Sequence, residues 1–127
     1  MIKDLYQSAD WKKEKHAPAI DILEKETDKK VKIEVSVGKD IAHPNTSAHH
    51  IVWIDVYFLP EGSKFPYQIG RYDFLAHGAS IEGPDTSSVY TEPVVQLTMK
   101  TSKGGTIFAS SYCNIHGLWE SSLELRF

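Results

Sequence analysis

Residues 113–117 read CNIHG and hold the only cysteine of the chain, with His116 three positions after Cys113. A single sulfur cannot close a disulfide within the chain. Three chemistries stay open for it: an inert buried thiol, a nucleophile, or a metal ligand completed by residues distant in sequence. The remaining histidines are His16, His43, His49, His50 and His77. Imidazole suits zinc, copper, iron and nickel, and one thiolate adds a soft, strongly donating partner. Other chemistries have less support. No nucleophile elbow surrounds Ser110 and Ser111, and SKGGT (102–106) lacks the G-x-x-x-x-G-K-[ST] pattern of a phosphate loop.

Such side chains need a scaffold, and the chain reads as short strands separated by turn residues. VKIEVSV (31–37) alternates Val31, Ile33, Val35 and Val37 with polar residues, the period of a half-buried strand. AIDILEKE (19–26) is a weaker strand, with TDKK (27–30) as the turn between the two. HIVWIDVYFL (50–59) is β-branched and aromatic and stops at Pro60. YQIGRYDFLAH (67–77), EPVVQLTMK (92–100), TIFASSY (106–112) and SSLELRF (121–127) complete the set, and TSKGG (101–105) is expected to be a hairpin turn. Seven strands and no convincing internal helix predict an all-β, seven-stranded immunoglobulin-like antiparallel sandwich or barrel, with residues 1–127 as a single domain. Trp53, Tyr57 and Phe58 are expected in its core.

If successive strands reverse direction, the start of strand one shares a pole with the second-to-third, fourth-to-fifth and sixth-to-seventh connections. His16, His43, His49, Cys113 and His116 all fall in those segments. Five donors exceed the four of a structural tetrahedral zinc site and leave room for an open sixth position, for which iron is the natural candidate. His50 is expected to point to the opposite face of its strand, whereas His77 lies near the same pole and geometry does not exclude it as a donor.

Composition sets the remaining bounds. With 127 residues, 41% hydrophobic and 24% charged, the chain can bury a real core. A net charge of −3 leaves no overall footprint for nucleic acid. No apolar run approaches the ~20 residues that span a bilayer. The first residues, MIKDLYQSADWKKEKH, do not form a secretory signal, so a reducing cytoplasmic location is expected. Within an acidic molecule, Lys12, Lys13 and Lys15 make a local positive patch beside His16.

EKHAP (14–18), HPNTSAHH (43–50) and CNIHGLWE (113–120) closely resemble the three signatures of the superoxide reductases, the one-iron class also called neelaredoxins. YFLPEG (57–62), SIEGPDTS (80–87) and VYTEP (89–93) resemble that family too, so the likeness spans nearly the whole chain. It implies a mononuclear non-haem iron held by His16, His43, His49 and His116, with Cys113 as the axial thiolate. Glu14 would correspond to the carboxylate that binds the ferric iron, and Lys15 to the mobile cation beside the open face. The reaction implied is reduction of superoxide to hydrogen peroxide without dioxygen, with rubredoxin or a similar small protein as electron donor and a dimeric or tetrameric homo-oligomer as the assembly. The four cysteines of the two-domain relatives are missing here, so one metal centre and no amino-terminal desulforedoxin-like domain are expected. Asn114 and the backbone N–H groups near it are candidates to hydrogen-bond the sulfur, and Trp119 to wall the site. The alternative is a non-catalytic metal-binding sandwich, holding structural zinc or a diatomic gas.

Overall fold

The structure, a computed structural model, describes residues 1–26 and 30–127. Residues 27–29 of the expected TDKK turn lie outside the described residues. Seven strands form: β1 (Ala19–Lys25), β2 (Lys30–Ser36), β3 (Ile51–Pro60), β4 (Tyr67–Asp73), β5 (Val94–Lys100), β6 (Gly105–Cys113) and β7 (Gly117–Leu125). The one regular helical turn among the described residues is a short 3-10 segment, Ile2–Leu5. Two antiparallel sheets face each other, β1-β2-β5 and β4-β3-β6-β7, the three-plus-four arrangement of an immunoglobulin-like sandwich.

The period-two pattern sets which faces meet. Val31, Ile33 and Val35 of β2 are fully buried and pack with Ile54, Val56 and Phe58 of β3, Ile107 of β6 and Leu125 of β7. One irregularity in β3 alters the expected alternation. A register shift between Ile51 and Trp53 turns both Ile51 and Ile54 inward. Beyond it alternation resumes, and Phe58 is core with Ile54 and Val56, as expected. Trp53 and Tyr57 instead stand half-buried on the outer face, Trp53 stacked on Tyr112 at 5.8 Å. Asp55, buried on that outer face, accepts two 2.9 Å hydrogen bonds from Arg71.

TSKGG is not a hairpin. β5 and β6 lie in different sheets, so residues 101–104 carry the chain across the sandwich. The glycines there answer to crowding: a Cβ on Gly105, which pairs with Pro60, would stand 2.2 Å from the Leu59 carbonyl oxygen. Registers fix the polarity of both sheets. Ala19, Ser36 and Val94 lie abreast in one sheet, and Ile51, Cys113 and Gly117 in the other, with Trp53 beside Asp73. The start of β1 and the β2–β3, β4–β5 and β6–β7 connections therefore share one pole.

Candidate metal centre

Three segments bring donors to that pole. His16 precedes β1 and is buried; its backbone carbonyl accepts a 3.3 Å hydrogen bond from the Ser111 hydroxyl, which ties this segment to β6 of the other sheet. His43 and His49 come from the β2–β3 connection. There Gly38, at φ +86°, starts the loop in a conformation that favours glycine, and a Cβ would meet the His43 backbone nitrogen at 2.6 Å. Cys113 is the last residue of β6, one position beyond the expected strand end, and is fully buried. His116 lies on the tight turn between β6 and β7, which Gly117 closes at φ +83°; β7 thus begins four residues earlier than the sequence pattern suggests.

Ring contacts close on themselves. His16 meets His43 at 4.8 Å between centroids, His43 meets His49 at 4.8 Å, His49 meets His116 at 5.1 Å, and His116 returns to His16 at 4.8 Å. Successive rings are turned by 56° to 80°, so four imidazoles stand edge to edge in a closed cycle. Donor atoms of His16, His43, His49 and Cys113 all lie within 4.8 Å of one another. His116 Nδ1 lies 3.1 Å from His16 Nε2 and 3.9 Å from the Cys113 sulfur.

Hydrogen bonding on the far side of each ring decides which nitrogen is presented. His16 donates from Nδ1 to Glu14 Oε2 at 3.1 Å, and His43 donates from Nδ1 to the Pro44 carbonyl at 2.6 Å. That leaves Nε2 of each ring bare and pointing into the cycle. Among the described residues, His43 Nε2 and His49 Nε2 are buried without a hydrogen-bond partner. Such orphaned nitrogens cost about 1–3 kcal/mol each unless a cation takes the place of the missing partner. Two imidazole nitrogens on bonds of about 2.1 Å and at right angles on one ion would stand about 3 Å apart, the separation found between His16 and His116. A metal ion fits the donor set.

Protonation state agrees. Burial lowers the pKa of His16 and of His49, and pushes that of His43 down to about 4. The Lys15 ammonium adds to the lowering of all three, which places its charge close to the cycle. These three imidazoles are therefore neutral, ready to ligate, at pH 7. Stability of the metal-free protein follows by linkage. These rings bind protons less readily folded than unfolded, so acidification through the ordinary histidine range, near 6.5, toward about 4 favours the unfolded chain. Denaturation of metal-free protein should thus become easier across that window, and flat stability from pH 6.5 to 4 would contradict the assigned burial.

Glu14 stands apart from the converging donors. Its carboxylate accepts hydrogen bonds from the backbone N–H of His16, from that of Ala17 at 2.6 Å and from the His16 ring. It shapes the loop and fixes the His16 tautomer. The sulfur accepts a 3.3 Å hydrogen bond from the His116 N–H. The Asn114 N–H, expected near the sulfur, goes to the His50 carbonyl instead. The Asn114 side chain accepts from the His50 N–H at 2.9 Å and donates to the Ala48 carbonyl at 2.8 Å, lacing the His49 segment to the Cys113 turn. Trp119 lies flat on His16, 4.8 Å away at 11°. His50 and His77 stay outside the cycle and stack on each other at 3.5 Å; His77 also bonds to Asn45 and to the Phe74 carbonyl. Sequence reasoning missed Gln7, whose amide reaches the His116 carbonyl at 2.8 Å.

Comparison with known proteins points the same way. The Desulfoferrodoxin family profile matches residues 8–122. The superoxide reductase of Pyrococcus furiosus is 55% identical over 126 residues, which is 99% of this chain and 100% of that one. The neelaredoxin of Megalodesulfovibrio gigas is 52% identical over 120 residues, covering 94% and 92%. The structure of the reduced superoxide reductase (neelaredoxin) from Archaeoglobus fulgidus superposes with a TM-score of 0.93 at 57% identity, covering 97% of this chain and 99% of that one. On fold and sequence together, this chain belongs to the desulfoferrodoxin family.

Proposed function

We propose that the protein is a superoxide reductase, in which one non-haem iron is held by His16, His43, His49 and His116 with Cys113 as fifth donor. The overall change adds one electron and two protons to superoxide and yields hydrogen peroxide, with no dioxygen formed. The observation that carries this reading is the closed cycle of four imidazoles beside a buried sulfur, a donor set too large for tetrahedral zinc. Bound iron supplies the electron and an open position, and thiolate ligation enriches the metal in electron density.

The chain's own residues prepare that chemistry. Burial keeps His16, His43 and His49 unprotonated, and the His116 N–H holds the sulfur in place. Lys15 offers positive charge to an arriving anion and orders water that delivers protons. Glu14, whose carboxylate accepts from the backbone N–H groups of residues 16 and 17, is the acidic side chain that would be available to a ferric iron at this site. Rubredoxin or a similar small electron-transfer protein is the donor we favour, with a homo-oligomer in the cytoplasm as the working form. No helix among the described residues is long and apolar enough to cross a membrane.

Iron analysis and stopped-flow assay test this together. The expected result is one iron per chain, a visible band on oxidation, and peroxide without dioxygen while reduced rubredoxin is consumed. Zinc in place of iron would favour the non-catalytic reading. Dioxygen release would make the protein a dismutase.

A further inference from the structure

His116 is the exposed member of the imidazole cycle, so burial does not hold it in place. What holds its turn is a pair of donors on its backbone carbonyl: Gln7 Nε2 at 2.8 Å and Trp119 Nε1 at 3.2 Å. The same Trp119 lies flat on the His16 ring, so one indole touches two members of the cycle. Gln7 belongs to the amino-terminal arm, and 109 positions separate it from His116. Backbone bonds anchor the arm beside β7, from the Gln7 N–H to the Leu118 carbonyl at 3.0 Å and from the Glu120 N–H to the Gln7 carbonyl at 2.9 Å.

We propose that Gln7 is a positioning residue of the metal centre, and that the amino-terminal arm is a clasp on the His116 turn. This rests on the reading of His116 as an iron ligand. The carbonyl of His116 heads the peptide that enters Gly117, whose φ of +83° lets the turn reverse. Two donors on that oxygen fix the orientation of the peptide plane. If the plane rotates, the adjacent ring swings away from His16 and the His116 N–H leaves the sulfur. Outer-shell hydrogen bonds that orient a ligand typically account for 10–100-fold in metal affinity. The mainchain pairing of residue 7 does not depend on its side chain, so the clasp can be opened without detaching the arm.

Gln7→Ala removes the donor, and Gln7→Glu turns an acceptor toward the carbonyl. Both are expected to release iron to a chelator about tenfold faster and to shift the visible band, Gln7→Glu the more strongly. Trp119→Phe, which keeps a stacked ring but lacks the N–H, should act in the same direction. Slow amide exchange at Glu120 in each variant marks an arm still in place. Iron release and spectrum unchanged in Gln7→Ala would overturn the proposal. So would a change seen only where Glu120 protection is lost, since the arm's docking and not the side chain would then be responsible. In metal-free protein, Gln7→Ala should speed exchange at the His116 amide. That arm of the test stands even if the wild-type protein takes up no iron, a result that would sink the ligand assignment alone.

Discussion

Cys113→Ser should erase the visible absorption of the oxidised protein while iron remains bound. Four imidazoles still surround the site, and His16, His43 and His49 come from segments outside the Cys113 turn, whose own His116 N–H bonds to the sulfur. Serine is nearly isosteric, so the fully buried position is not left as a large void. The change is electronic. A neutral hydroxyl replaces a soft, strongly donating thiolate, and the His116 N–H now faces a harder, shorter acceptor. Superoxide reduction should fall by more than about 100-fold, because losing a ligand exceeds the 10–100-fold typical of outer-shell changes. Absorption, iron content and pulse-radiolysis rates on one preparation check this; a band that survives the substitution assigns it to some other group.

Lys15→Ala should slow capture of superoxide by about tenfold or more and flatten its dependence on ionic strength. The proposed substrate is an anion and the protein carries −3 overall, so any attraction is local. Lys15 is half-buried, and its charge is felt by three rings of the cycle. Neighbouring cations are less well disposed. Lys39 is paired with Asp21 at 2.6 Å and sits over Trp11, which Lys12 also faces at 5.5 Å. A bimolecular rate and salt slope equal to wild type would remove Lys15 from the mechanism. Lys15→Arg should restore most of the rate if charge alone matters.

Much of the framework is legible in the residues, because alternation of side chains depends only on neighbours along the chain. VKIEVSV shows this, with Val31, Ile33 and Val35 fully buried. What alternation does not encode is which strands share a sheet. TSKGG has hairpin composition, yet the chain crosses between layers there, since β5 completes the sheet of β1 and β2. A register shift in β3 likewise turns Ile51 inward together with Ile54, where strict alternation would have placed Val52. Parity brought the donor-bearing segments to one pole, and their chemistry was legible from residue type. The supporting contacts were not. Gln7 and the Asn114 side chain carry no motif of their own, and their roles arise from distances across 109 and 64 positions.

Strand parity also splits the molecule into a reactive end and a spare one. β6 runs nine residues from Gly105 to Cys113, about 30 Å at ~3.3 Å per residue. That length is more than three times the Debye length of about 8 Å at physiological salt. Lysines or acids introduced in loops 61–66 and 101–104 therefore sit outside the field met by an approaching anion. Isoelectric point, solubility, or attachment to an electrode can be engineered at that end while the turnover properties of the other stay as they are.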